Sequence, residues 1–200
     1  MKQLNKIAND IFILDDFLTE KECIDFINFS EDHGFTSADV ETKNGKQVIS
    51  YIRNNDRVDH YSEELSQRLW SKLSAFQLPT FDFMNAIALS PYFRFYKYVS
   101  GQKFNMHKDG QQQVGENISY FTFIVYLNEN CIGGSTKFRL DDISIKPKTG
   151  SLLIFEHRLW HQGEEVISGE KYILRTDIVY ETIGFETYLD REKAYKSSNM

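Results

Sequence analysis

Proline, cysteine, long apolar runs and excess positive charge are all scarce in this chain. Three prolines among 200 residues, with no low-complexity stretch or internal repeat, argue against long linkers and for a single domain over residues 1–200. Two cysteines, Cys23 and Cys131, make neither a C-x-x-C pair nor the framework of a secreted scaffold. A reducing compartment, and so a cytoplasmic location, is the expectation. No run approaches the length of a membrane span. The first eighteen residues hold two lysines and a short apolar run, but Asp10, Asp15 and Asp16 interrupt it and no small-residue cleavage site follows. Lys and Arg number 23 against 29 Asp and Glu, a net charge of -6, whereas a nucleic-acid binder normally shows a basic face. Neither a membrane nor a nucleic-acid partner is expected.

What the chain does have is apolar and aromatic mass. Hydrophobic residues make up 41%, with 16 Phe and 11 Tyr, ample for a substantial core. The pattern divides into an N-terminal helical support region over residues 1–90 and a β core over 91–182. Ile11 to Leu14 is a short predicted strand. Thr19-Glu20-Lys21-Glu22 is a capping box opening a helix with Cys23, Phe26 and Ile27 on one face. A second helix is predicted from about Ser62 to Ser74, because Leu65, Leu69 and Leu73 recur at i, i+4 and i+8, and it ends before Pro79.

From Tyr92 the pattern changes to short β-rich runs: Tyr92–Val99, Tyr120–Leu127, Ser135–Leu140, Ile143–Ile145, Ser151–Phe155 and Lys171–Tyr180. Gly101, Gly133, Gly134, Gly150, Gly163 and Gly169 punctuate them, the spacing of a sandwich or jelly roll. Residues after Tyr188 are polar and read as a loose tail.

The β portion carries His107-Lys108-Asp109, with His161 far downstream and Lys171 shortly after it. Two imidazoles and one carboxylate on three faces of a metal suit non-haem Fe(II) and leave positions open for an organic co-substrate and dioxygen. A following basic residue suggests that the co-substrate carries a free carboxylate. H-x-D alone is weak, since two ordinary core or surface histidines would give the same letters. An extended Phe104–Asp109 would nevertheless put His107 and Asp109 on one face, with Lys108 pointing away and His161 arriving from a distant strand.

Other residues leave more than one reading open. Lys171, Ile173 and Arg175 share one strand face, so Arg175 would point inward if Lys171 does. His157, four residues before His161, competes for the third ligand position. His33 and His60 are expected to face solvent. Arg53-Asn54-Asn55-Asp56-Arg57 forms either part of a substrate rim or an ordinary capped surface loop, and the polar stretch from Gln111 to Asn117 is a candidate mobile loop over the site.

An ordered series of blocks resembles the prolyl-hydroxylase-type members of the 2-oxoglutarate and Fe(II)-dependent dioxygenases. The blocks are Tyr98-x-x-Gly101-Gln102-x-Phe104-x-x-His107-x-Asp109, Val125-Tyr126-Leu127-Asn128, Gly133-Gly134-x-Thr136-x-Phe138, Pro147-x-x-Gly150, and His161-x-Gly163-x-x-Val166-x-x-Gly169-x-Lys171-Tyr172. Asp16-Phe17-Leu18 also resembles the usual entry to the fold. The resemblance implies a double-stranded β-helix, a cupin-like jelly roll that is mainly β with flanking helices and is braced by N-terminal α-helices. It implies Fe(II) on His107, Asp109 and His161, and Gly163 favours His161 over His157. Lys171 would pair with the distal carboxylate of 2-oxoglutarate, and Tyr126 and Tyr98 match pocket tyrosines, with core packing the plain alternative for both. Arg175 would hold the other end of 2-oxoglutarate or a substrate carboxylate, or would exchange roles with Lys171, which would then be a solvated strand-end lysine.

The implied reaction is hydroxylation of an unactivated C–H bond, using O2 and 2-oxoglutarate as co-substrates, releasing succinate and CO2 and allowing ascorbate as an auxiliary reductant. A peptide or protein substrate, prolyl first, is expected, with a free amino acid or another small carboxylate metabolite as the alternative. The rival class is a non-catalytic metal- or ligand-binding jelly roll, against which the presence of all three ligands and the lysine counts. Oligomeric state is left open.

Overall fold

Strict alternation along the central strands decides which residues reach the site, because neighbouring side chains of an extended chain point to opposite faces. In the strand Asn117–Tyr126, Phe121, Phe123 and Val125 join one hydrophobic cluster, while Ile124 and Tyr126 join another. In Lys171–Tyr180, Tyr172, Leu174 and Ile178 join the first cluster and Ile173 the second. Tyr92–Tyr98 divides likewise, with Phe93 and Phe95 on one side and Tyr96 and Tyr98 on the other. With both faces covered, all ten residues of Lys171–Tyr180 are buried, and the strand reads as continuously apolar or paired rather than as half-wet.

The computed structural model describes residues 2–198 except 39, 43–44, 48–52 and 141. A major sheet runs in the spatial order Asn5–Ala8, Ile11–Leu14, Leu152–Glu156, Asn117–Tyr126, Lys171–Tyr180, Tyr92–Tyr98, Asp56–Tyr61 and Thr36–Ser37. Its neighbours pair antiparallel. A smaller antiparallel sheet runs Phe104–His107, His161–Gly163, Thr136–Phe138 and Ser144–Ile145. The expected double-stranded β-helix architecture with flanking helices is present.

Helix α1, Glu20–His33, begins at the predicted capping box: Thr19 and Glu22 exchange hydrogen bonds, and Cys23, Phe26 and Ser30 are buried. Helix α2, Glu63–Leu73, starts at an Ser62 cap and buries Leu69 and Leu73. Both deliver their apolar faces to the first cluster, where Leu65 and Ile27 pack at the margin. The N-terminal region also supplies sheet strands at both edges, including Ile11–Leu14 with its predicted bounds.

Three local expectations need correction. The chain after Tyr188 is helical, within α3, Phe185–Ser198, because Arg191 anchors it on Glu181 at 2.6 Å and on the Phe83 carbonyl. Gln113–Val114 is a short strand hydrogen-bonded to the start of Asn117–Tyr126, so the polar composition of 111–117 marks a hairpin. The strand bearing the first ligand ends at His107 and Asp109 lies beyond it. Among the described residues no helix is long and apolar enough to cross a membrane.

Candidate active site

His107 and His161 are direct cross-strand partners in the smaller sheet. A β-bulge between Phe104 and His107 redirects the end of that strand, and beyond it Lys108 stays exposed while Asp109 reaches the two histidines. Asp109 is held there by its own backbone, whose N–H donates to the His157 carbonyl at 2.9 Å. One ligand atom from each of His107, Asp109 and His161 lies within 4.8 Å of the others. Each His Nε2 stands 3.6 Å from an Asp109 oxygen. The three residues are thus brought together as expected, although tertiary contact rather than strand periodicity brings Asp109 in.

The imidazoles are oriented for a metal. His107 Nδ1 contacts the Asn105 carbonyl at 2.8 Å and His161 Nδ1 the Leu159 carbonyl at 2.9 Å. A carbonyl can only accept, so each Nδ1 donates and leaves the Nε2 lone pair free. Burial, which outweighs the attraction of Asp109, holds the His161 imidazole down at about 4, so it is neutral near pH 7. Burial would raise Asp109, but Arg175 and the two histidines overcome it and keep its carboxyl well below the usual range. Thr122 donates to Asp109 Oδ2 at 2.6 Å and Arg175 Nη2 lies 3.0 Å from Oδ1. Two imidazole nitrogens and one fixed carboxylate oxygen fit a divalent first-row metal such as Fe(II).

The same cavity is lined by Tyr96, Tyr98, Ile124, Thr136, Gly163, Lys171, Ile173 and Arg175. Lys171, opposite Tyr98 in the sheet register, is 2% exposed, so it is no solvated strand-end lysine. Its Nζ donates to the Gly134 carbonyl at 2.6 Å and sits 4.8 Å from the Tyr98 ring centre. No carboxylate pairs with it among the described residues, and burial pulls it down to about 8. Arg175, by contrast, is occupied by Asp109 and Asp177. Tyr126 is fully buried and donates to Thr136 Oγ1 at 2.7 Å, so it reaches the cavity through Thr136. Burial pushes Tyr98 up to about 12, against the attraction of Arg53 and Arg175.

Residues 93–176 match the family model described as the 2OG-Fe(II) oxygenase superfamily. Over 195 residues the chain is 27% identical to Prolyl 4-hydroxylase 1 of Arabidopsis thaliana, covering 81% of this chain and 66% of that protein. The chain is similar to 2OG-Fe(II) oxygenases of the prolyl-hydroxylase type. Its fold agrees with that of solved prolyl hydroxylases. A viral collagen prolyl hydroxylase from Paramecium Bursaria Chlorella virus-1, in a 2OG complex, superposes with a TM-score of 0.59 at 21% identity, over 87% of this chain and 99% of that one. A prolyl hydroxylase from Trichoplax adhaerens, in complex with a hypoxia inducible factor peptide fragment, gives 0.67 at 18% identity, over 86% and 84%.

Several residues around the candidate site escaped the sequence reading. Thr122 and Asp177 share inward faces with Tyr126 and Arg175, so alternation counted back or forward from those residues would have found them. Tyr96 is likewise two residues from Tyr98. Thr136 stands within one of the blocks that carry the resemblance, where no role was assigned to it. His157 is buried and close to Asp177, at 3.4 Å, and is outside the ligand trio. His33 is exposed as expected, but His60 is half-buried edge-on against Phe29, 4.8 Å between ring centres. The Arg53 segment is no solvated loop either: Arg53 and Asn55 are 5% and 1% exposed.

Proposed function

We propose that this oxygenase hydroxylates an unactivated C–H bond of a peptidyl substrate, a prolyl residue first, while O2 and 2-oxoglutarate are converted to succinate and CO2. The observation that carries the reading is the meeting, in one cavity, of two imidazoles with free Nε2 atoms, an ionised Asp109, and a buried Lys171 with no acidic partner among the described residues. Fe(II) bound there would supply the oxygen-activating redox chemistry. His107, Asp109 and His161 would hold it. Lys171 would pair with the distal carboxylate of 2-oxoglutarate through a charge-assisted hydrogen bond, with the Tyr98 hydroxyl and the Tyr126–Thr136 pair fixing that end. Arg175 and Thr122 keep the Asp109 carboxylate from rotating. The apolar walls, Ile124 and Ile173, keep water from the inner cavity.

The similarity to prolyl hydroxylases supports a prolyl substrate, and unpaired Cys23 and Cys131 support a cytoplasmic site of action. The test is the visible absorption of anaerobic, Fe(II)-loaded protein titrated with 2-oxoglutarate. A charge-transfer band is expected to appear in the wild type, vanish in His161→Ala and survive in His157→Ala. No band in folded, metal-loaded protein would refute the reading and favour a binding module. Loss of the band in His157→Ala with retention in His161→Ala would overturn the ligand set.

A further inference from the structure

We infer that Arg53 is the receptor for a carboxylate on the primary substrate, an inference that rests on the oxygenase reading above. Arg53 is 5% exposed. Its Nε donates to Asn55 Oδ1 at 3.0 Å, whereas its Nη2 is buried with no hydrogen-bond acceptor. No carboxylate pairs with it among the described residues. A buried guanidinium without a counter-ion is costly, and the cost is removed when an anion arrives.

The place of Arg53 fits a ligand seated at the metal. Its guanidinium carbon lies 4.7 Å from the Tyr96 ring centre and 4.2 Å from that of Phe104. Phe104 stacks on His107, 3.5 Å between ring centres, and Tyr96 lines the cavity. The segment is fixed beside the strand that carries His107: Arg53 bridges Phe104, and the Lys103 N–H donates to Asn54 Oδ1 at 2.8 Å. Burial would raise the Tyr96 hydroxyl, yet Arg53, Arg175 and Arg94 together hold it below the ordinary tyrosine range. The wall beside the metal is therefore electropositive.

Two buried cations around this cavity lack an acidic partner among the described residues, Lys171 and Arg53. 2-Oxoglutarate would satisfy Lys171 and the metal, and Arg175 already has Asp109 and Asp177. Arg53 is left for the substrate, and a planar guanidinium recognises a carboxylate better than it does a neutral carbonyl. That carboxylate has two possible sources: the α-carboxylate of a free amino acid, or an acidic side chain next to the reacting residue of a peptide.

The test titrates anaerobic protein loaded with Mn(II) and 2-oxoglutarate with two matched pairs. One is N-acetyl-L-proline against its amide, and the other is a capped Asp-Pro peptide against Asn-Pro. In the wild type the acid of at least one pair is expected to bind about tenfold or more tighter than its neutral partner. In Arg53→Gln the ratio should fall to about one. Discrimination in the first pair alone identifies a free α-carboxylate, and in the second alone an acidic peptide. No preference for either acid in the wild type, including no binding at all, overturns the inference, as does a preference that survives in Arg53→Gln. The Fe(II)–2-oxoglutarate absorption band of the wild type separates the failures, since its absence would strike the oxygenase reading itself.

Discussion

At the scale of single residues, the cavity buries charge that has no acidic partner among the described residues, and the proposed ligands would supply one. Lys171 is the clearest case. Burial lowers it to about 8, so the free protein loses this positive charge as pH rises through 8. Binding an anion requires the protonated form, so 2-oxoglutarate affinity is expected to be flat below pH 7 and to weaken by up to about tenfold per pH unit above 8. Calorimetric titration from pH 6.5 to 9.5 checks this, and Lys171→Ala should lose most of the affinity and its alkaline dependence together. An unchanged affinity in that variant would transfer the role to Arg175. Stability of the ligand-free protein carries the opposite sign: the unfolded chain binds the extra proton between pH 8 and 10.5, so this residue makes stability rise with pH across that window.

At the scale of elements, the site depends on strands clamped between the helices and the smaller sheet. Leu69 of α2 is fully buried in the cluster that includes Phe93, Phe95 and Leu174. Leu69→Ala is expected to cost roughly 2–5 kcal/mol, read as a lower urea midpoint, while the 2-oxoglutarate absorption band persists in whatever fraction stays folded. Gly150 bears a different constraint. Its φ is +76°, and a Cβ there would stand 2.2 Å from the Leu18 carbonyl oxygen. Gly150→Ala should therefore separate the turn before Leu152–Glu156 from the start of α1 and lower the unfolding midpoint, with tryptic cleavage near Lys148 as a local readout. An unaltered midpoint would mean that this contact carries no stability.

At the scale of the whole molecule, a metal held by His107, Asp109 and His161 would tie the two sheets together. His107 and His161 belong to the smaller sheet, and Asp109 is braced by Thr122 and Arg175 of the larger one. A divalent ion that binds only the folded state at a hundred times its Kd should add about 2.7 kcal/mol, a rise in Tm of roughly 5–10 °C for a chain of this size. Scanning calorimetry with Mn(II) and then with a chelator measures it, and the shift should be absent in His161→Ala.

Much of this was legible in the sequence because it is local. The Thr19–Glu22 box, the spacing of Leu65, Leu69 and Leu73, and the period-two runs from Tyr92 onward each determine an element from neighbours a few residues apart. The blocks around His107, His161 and Lys171 pointed to the ligand trio and the buried lysine before any fold was drawn. Tertiary structure alone decided what depends on contacts between distant segments. It bent the chain after His107 so that Asp109 meets His161, occupied Arg175 with Asp109 and Asp177 while leaving Lys171 unpaired by any acid among the described residues, ordered α3 through Arg191 and Glu181, and buried Arg53 against Tyr96 and Phe104. Burial and charge pairing are set by what the rest of the molecule packs around a residue, and the residue's own sequence neighbours do not contain that information.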